Sequence, residues 1–239
     1  MTNKSLAHSL ALTGILPVNK PKGKTSFSLV QVLRSLSRMR TIGHAGTLDP
    51  FASGVMILLI GKEYTRLSDR FLNQDKEYEA RICLGTTTST YDPEGEILTA
   101  SSYRPGIEEL ERGLLSFQGE IHQVPPMYSA KKVHGTPLYK LARRGKEIER
   151  KPIRLTLKTT LIAYDYPYID LNIRCSKGTY VRSLAHDLGQ LLQCGAYLFS
   201  LIRTRSGSFS LCDCLDGALL YSGTCDYTQA LRRCLPEQL

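Results

Sequence analysis

Apolar and polar positions along the chain sort into runs of two periods. Residues 14–19 form an apolar stretch of strand length. Leu29, Val30, Leu33 and Leu36 follow at three- and four-residue spacing, the period of one helix face, and Thr25 or Ser26 stands where an N-cap belongs. Residues 55–60 are the longest uninterrupted apolar run and, bounded by Gly54 and Gly61, predict a buried strand. Residues 76–84 alternate as another strand. Residues 105–117 predict a helix, with Pro105 near the first turn and glutamates early, where the helix dipole favours them. Residues 153–163 alternate again, and residues 169–175 are the natural pairing partner. A helix is predicted over residues 179–192, capped by Thr179, with Leu184, Leu188, Leu191 and Leu192 on its inner side. A strand follows over residues 198–205, and residues 213–221 have helical character. The strands are several and are not separated regularly by helices. That order predicts an α+β fold rather than a doubly wound α/β sheet.

At 239 residues, with 42% apolar and 22% charged positions, the chain has globular composition and can bury a large core. Its longest apolar run is far below the roughly 20 residues a membrane helix needs, and the N-terminus lacks a signal-peptide pattern. The expectation is a soluble, cytoplasmic protein. Seven scattered cysteines suggest neither a disulfide framework nor a zinc site. Charge is unevenly placed within the net +9. Residues 1–48 carry seven Lys or Arg and no acid, and the first carboxylate is Asp49. Residues 131–158 carry ten basic residues against Glu147 and Glu149, whereas residues 49–130 sum to −6. Two basic blocks around an acidic stretch suit a polyanion-binding face, and equally a solvated basic surface.

Gly23-Lys24-Thr25-Ser26 has the tail of a phosphate-binding loop, but Val18 stands where the first glycine is required and Pro21 lacks a backbone donor. No nucleotide cofactor is expected; Lys20, Lys22 and Lys24 can instead meet nucleic-acid phosphates. The five histidines, at 8, 44, 122, 134 and 186, have no metal-ligand spacing. The segment Gly43-His44-Ala45-Gly46-Thr47-Leu48-Asp49-Pro50 stands apart. Two glycines permit unusual backbone shapes, Pro50 biases Asp49 away from the helical region, and the buried strand follows directly. Asp49 is expected on a tight loop, suited to holding a carboxylate against a reactive centre; an Asp-Pro pair also starts ordinary turns. Tyr128 and Tyr139, set among lysines, can stack bases or simply pack.

Six blocks in register carry a family resemblance: Asn19 through Ser26, Gly43 through Gly54, Lys76-Glu77-Tyr78, Gly85-Thr86 to Asp92-Pro93-Glu94-Gly95, Pro125 through Lys131, and Cys175 through Arg182. In these the chain resembles the bacterial TruB family of tRNA pseudouridine synthases, which isomerise uridine 55 in the T-loop of tRNA. The resemblance implies the pseudouridine synthase fold, a mixed, largely antiparallel central sheet with flanking helices and a catalytic cleft. It implies that Asp49 is the catalytic aspartate, that Tyr78 packs against the flipped uracil, that Arg182 pairs with Asp49, and that Leu201 lines the pocket floor. It further implies that His44 and Tyr180 contact the substrate loop and that Lys20 and Pro21 shape the wall beside the nucleophile. Asp49 could attack C1′, attack C6, or remove the 2′ proton, the last being favoured. No cofactor or metal is implied.

The resemblance divides the chain into an N-terminal extension (1–13), a catalytic domain (14–209) and a short tail (210–239) without the PUA domain that most relatives append. Weaker, more salt-sensitive tRNA binding than in PUA-bearing relatives is the corresponding expectation, as is a monomer. Three other functions compete: an RNA-folding factor, which would leave Asp49, Tyr78 and Arg182 together unexplained; a guide-dependent H/ACA synthase, whose members carry that missing domain; and a plain ribosome- or RNA-binding module, which would explain the charge but not the six blocks.

Overall fold

The structure, a computed structural model, describes residues 13–133 and 135–233. His134, all but Thr13 of the expected extension, and the last six residues of the tail lie outside the described residues. The described chain forms two compact units, one of residues up to Lys76 and from Ile202 onward, the other of Glu77–Leu201. The span 14–209 is therefore divided between them.

The first unit begins with β1 (Gly14–Lys20), α1 (Ser26–Ser37), β2 (Ile42–Ala45), β3 (Ser53–Ile60) and two short helices, α2 (Lys62–Thr65) and α3 (Ser68–Leu72). The chain then enters the second unit through β4 (Lys76–Leu84). There it forms β5 (Thr86–Thr88), β6 (Ile97–Ala100), α4 (Ile107–Leu115), β7 (Gly119–Gln123), β8 (Lys132–Val133), β9 (Thr136–Pro137), α5 (Leu138–Ala142), β10 (Ile153–Asp165), β11 (Tyr168–Cys175) and α6 (Val181–Leu191). It returns along β12 (Ala196–Ser206) to β13 (Phe209–Ser210), β14 (Leu215–Asp216) and α7 (Gly217–Ser222).

In the first unit β3 is central. One edge pairs antiparallel with β1 from Gly14↔Ile60 to Lys20↔Gly54. Along the other, β2 pairs antiparallel with residues 57–60, and β12 then pairs parallel, Ile202↔Ser53 and Arg203↔Gly54. The apolar run is continuous because both faces are covered. Met56, Leu58 and Ile60 pack with Leu29, Val30 and Leu33 of α1 and Leu220 of α7. Val55, Ile57 and Leu59 pack on the opposite face with Tyr64, Phe71 and Phe209. Each such fully buried side chain contributes about 1.5–3 kcal/mol of transfer free energy. Helix α1 starts as its pattern predicts, with the Thr25 hydroxyl accepting from the Ser28 N–H at 3.0 Å. Leu36 departs from the expected stripe and is 40% exposed, because the stripe at 29, 30 and 33 already covers the sheet.

In the second unit the strand order is β4-β11-β10-β7, with β10 antiparallel to both β11 and β7. Leu155 and Leu157 alternate inward while Arg154 and Lys158 face out. Cross-strand ion pairs Arg81–Asp170, Arg174–Glu77 and Arg154–Glu120 lie on the exposed side. Such surface pairs are worth about 0–1 kcal/mol each. Helix α6 starts later than expected: Tyr180 is its N-cap residue, and the Thr179 hydroxyl donates to the Ser176 carbonyl instead. Leu184, Leu188 and Leu192 are buried, but Leu191 is 49% exposed, one residue off the inner face. In the tail, residues 213–221 divide into a 3₁₀ turn at Leu211–Asp213, β14 and α7, because Leu215 and Asp216 pair parallel with Val18 and Asn19. The whole is α+β with mixed, largely antiparallel pairing.

Gly54 marks the tightest approach in the first unit. Its φ of +113° lies where side chains are strained, and a Cβ there would overlap the Arg203 backbone across the β3–β12 pair. Gly54→Ala is expected to destabilise the protein by about 3 kcal/mol or more, read as a fall in denaturant midpoint at unchanged m-value; a midpoint equal to the parent would refute the close approach.

Candidate active site

Asp49 sits half-buried in the loop from β2 to β3, and every backbone carbonyl from Gly46 to Pro50 has a partner. Arg203 donates from Nη2 to Gly46 O at 3.1 Å and, more distantly, from Nη1 to Thr47 O at 3.5 Å. The Ser26 hydroxyl donates to Leu48 O and accepts from Leu48 N–H, both at 2.9 Å. The Ala52 N–H closes a turn on Asp49 O at 3.1 Å. Pro50 O accepts from the Gly23 N–H at 2.7 Å and from Lys20 Nζ at 3.4 Å. Gly46, at φ +94°, lets the loop begin in a conformation that side chains disfavour. The loop is thereby held from three directions: α1, the Pro21–Gly23 turn and β12.

Lys20 differs from the expectation of a phosphate-binding loop lysine. It ends β1 with 0% exposure, and Nζ donates to the carbonyls of Lys24 at 2.6 Å and Pro21 at 3.0 Å as well as to Pro50. A buried ammonium needs such acceptors, and the one at Pro50 ties it to the residue after Asp49. Pro21 contributes its carbonyl and the turn, whereas Lys22 and Lys24 are exposed and remain available to a polyanion. His44, on β2, lies on the strand that leads into the Asp49 loop. Burial, reinforced by the Arg203 charge, pushes its imidazole below the ordinary histidine range, and its Nδ1 is buried without a hydrogen-bond partner. It is a neutral imidazole at physiological pH.

In the second unit Arg182, in the first turn of α6, is a buried cation whose guanidinium faces Asp92 at 3.3 Å, with side chains 6% and 4% exposed. It also donates to Tyr128 O at 2.7 Å and Thr90 O at 3.2 Å. Asp92 is fixed in turn, accepting from the Glu94 N–H at 3.0 Å and the Thr90 hydroxyl at 2.5 Å. Tyr180 precedes the helix; both of its backbone polar groups are gripped by the Gln123 amide, at 2.8 and 3.0 Å. Tyr78 on β4 and Leu201 on β12 are buried within this unit. Lys20, Pro21, His44 and Asp49 thus share the first unit, and Tyr78, Tyr180, Arg182 and Leu201 share the second.

Thr90 and Tyr128, whose carbonyls hold Arg182, also line a cavity of about 260 Å³ with Tyr91, Met127, Lys146 and Arg150. Tyr91 stacks on His186 at 3.9 Å. One residue on, burial pushes the Asp187 carboxyl up to about 6. Most of the basic residues between 131 and 158, among them Lys132, Lys140, Arg143, Arg144 and Lys151, face solvent.

Sequence reasoning overlooked Arg203, Gln123 and Asp92, and took Ser26 as a candidate helix cap rather than as a partner of Leu48. Asp92 lay within a quoted block but had no role there. Arg203 had a signal: two residues from the inward Leu201, strand alternation puts it inside, where an unneutralised charge needs a reason. Chemically, the first unit offers a carboxylate on an anchored loop and, five residues earlier on β2, a neutral imidazole, and the second a fixed, always-charged guanidinium. Among the described residues no group of three or more His, Cys, Asp or Glu could hold a metal ion, and no helix is long and apolar enough to cross a membrane.

Comparison with known proteins gives concordant results. Residues 34–181 match the N-terminal domain of TruB family pseudouridylate synthases, and residues 182–236 match the tRNA pseudouridylate synthase B C-terminal domain. The chain is 55% identical to tRNA pseudouridine synthase B of Protochlamydia amoebophila (strain UWE25), over 89% of this chain and 81% of the relative. It is 52% identical to that of Chlamydia felis (strain Fe/C-56), over 92% and 93%. Among solved structures, a Cbf5–Nop10–Gar1 complex aligns with a TM-score of 0.70 at 24% identity, covering 93% of this chain and 60% of the other. An H/ACA RNP bound to a substrate RNA containing 2′-deoxyuridine aligns at 0.67 and 21%, covering 95% and 60%. These two share the fold.

Two substitutions probe the second unit. Asp92→Ala removes the counter-ion facing a buried guanidinium and is expected to destabilise the protein by about 3 kcal/mol in denaturant titration. Asp187 has a folded pKa above its unfolded value of 3.8. The stability it contributes is therefore complete below pH 4 and is lost as pH rises through about 6. Asp187→Asn is expected to raise the melting temperature relative to the parent above pH 6 and to change it little at pH 4; a constant offset at all pH values would contradict this.

Proposed function

This chain belongs to the TruB family of pseudouridylate synthases, and from that premise we propose that it isomerises uridine 55 in the tRNA T-loop with Asp49 as the acting carboxylate. It is a tRNA pseudouridine synthase, an RNA-binding isomerase. The observation that carries the assignment of Asp49 is its loop, in which every backbone carbonyl from Gly46 to Pro50, that of Asp49 included, is held by a partner.

The target uridine is stacked in the RNA, and extruding it costs a few kcal/mol. Stacking of the extruded base on Tyr78 returns roughly 1–3 kcal/mol. The C1′–N1 bond is then broken, the uracil turns, and C5 is joined to C1′; C5 loses its proton and N1 takes one up, so that the product is an isomer of the substrate. Attack at C1′, attack at C6 and removal of the 2′ proton all begin from an ionised, immobile carboxylate. Burial works against ionisation, and the guanidinium of Arg182 opposes it with a charge that persists at any working pH. Neutral His44 and Tyr180 contact the substrate loop without adding charge, Leu201 forms the pocket floor, and Lys20 with Pro21 forms the wall beside Asp49. The net reaction changes no oxidation state and so needs no redox cofactor, and, as part of the same proposal, the enzyme acts in the cytoplasm as a monomer. Exposed Lys22, Lys24 and the basic residues of 131–158 supply phosphate contacts, which are salt-dependent and indifferent to base identity.

An unmodified tRNA transcript incubated with the protein and mapped by carbodiimide-stop primer extension is expected to show one stop, at uridine 55. Asp49→Asn is expected to lower the single-turnover rate by about 10²–10⁴-fold or more while leaving tRNA affinity within a few-fold. A stop elsewhere would overturn the uridine 55 assignment. An active Asp49→Asn enzyme would overturn the role of Asp49, and tRNA binding with no stop at all would favour the RNA-folding reading.

A further inference from the structure

The guanidinium of Arg203 is 1% exposed, and the partners it makes are backbone carbonyls. Nε donates to Val55 O at 2.6 Å on β3, and Nη2 and Nη1 to Gly46 O and Thr47 O on the loop. One planar group therefore ties the start of the Asp49 loop to the strand that receives its end. A Cβ on Gly46 would stand in ordinary van der Waals contact with Nη1, at 3.5 Å, and Gly54 permits the close approach of β3 to the Arg203 main chain. Among the described residues no carboxylate forms an ion pair with this buried guanidinium, a disfavoured arrangement, and the β3–β12 pairing would form with an apolar side chain at this inward position. The feature that only arginine supplies is a fork whose separate nitrogens reach the strand and the loop together, with a full charge behind them.

We propose that Arg203 is a positioning residue for the isomerisation: it holds the Gly46–Thr47 backbone so that Asp49 is aimed, and it places a full positive charge against the Asp49 loop. This rests on Asp49 being the acting group. The charge is felt by His44, for which it is the second cause, after burial, of a lowered pKa. Arg203 acts through the loop, so its removal should slow the chemical step rather than weaken tRNA binding. A displacement of about 1 Å in a reacting group is enough for a loss of about 10²-fold.

Arg203→Lys keeps the charge and loses the fork; Arg203→Met loses both. Single-turnover rate, tRNA Kd, melting temperature and the NMR titration of His44 are compared with the parent and with Asp49→Asn. Arg203→Lys is expected to melt within about 5 °C of the parent, bind tRNA within threefold, and isomerise about 10²-fold more slowly. In Arg203→Met the His44 titration is expected to move up towards the ordinary histidine value, and in Arg203→Lys to stay near the parent. An Arg203→Lys enzyme at the parent rate overturns the positioning role, as does a rate loss no larger than the loss of tRNA affinity. An unmoved His44 titration in Arg203→Met overturns the charge. If Arg203→Met does not fold, Arg203→Lys still decides the positioning role. Full activity in Asp49→Asn refutes the Asp49 assignment on its own, whatever the Arg203 variants do.

Discussion

The carbonyls of residues 46–50 are the groups on which the first unit converges, because a carboxylate can be aimed only when the backbone beneath it has nowhere to go. A loop of this length on a protein surface would ordinarily satisfy its carbonyls with water and sample many shapes. Here they are met by a hydroxyl from α1, an ammonium from the end of β1, an amide from the Pro21–Gly23 turn and a guanidinium from β12. Three of these donors lie within eight residues of one another in sequence, in the Lys-Pro-Lys-Gly-Lys-Thr-Ser segment. That segment serves backbone geometry as much as charge: Lys20 is wholly buried while Lys22 and Lys24 are exposed.

The strand order explains how a distant arginine joins this set. On one edge of β3, β2 pairs as far as Ala45↔Ile57 and then departs, and β12 takes over at Gly54. The Asp49 loop fills the gap between the two, so the inward side chain of β12 at that level meets loop backbone rather than another side chain. The second unit repeats the logic with different parts. Arg182 is flanked by a carboxylate and two carbonyls before any substrate arrives, and Gln123 fixes the main chain at Tyr180. In both units a buried cation is surrounded by acceptors, as the cost of burying charge requires.

Element type and position were legible from periodicity wherever one face or both faces are covered. β4 has the same bounds as its pattern, and α1 and β3 differ by a residue or two. The departures share a cause. Leu36 and Leu191 satisfy helical spacing but lie beyond the part of the helix that meets a neighbour, and Thr179 finds an acceptor in its own turn before it can cap α6. Residues 213–221 have helical composition, but a parallel pairing with β1 claims Leu215 and Asp216 first.

The sequence by itself determined the class of fold, the order of its elements, the separation of charge into blocks, and the residues through which the family is recognised, Asp49, Tyr78 and Arg182 among them. These are local or pairwise properties, written in spacing and in residue type. Tertiary structure alone decided which groups hold those residues. The donors on the Asp49 loop come from positions 20, 23, 26, 52 and 203, and the acceptors around Arg182 from 90, 92 and 128. Hydrogen bonds to backbone carbonyls leave no trace in the identity of the accepting residue, so no pattern of side chains records them. They exist only once the strands have paired.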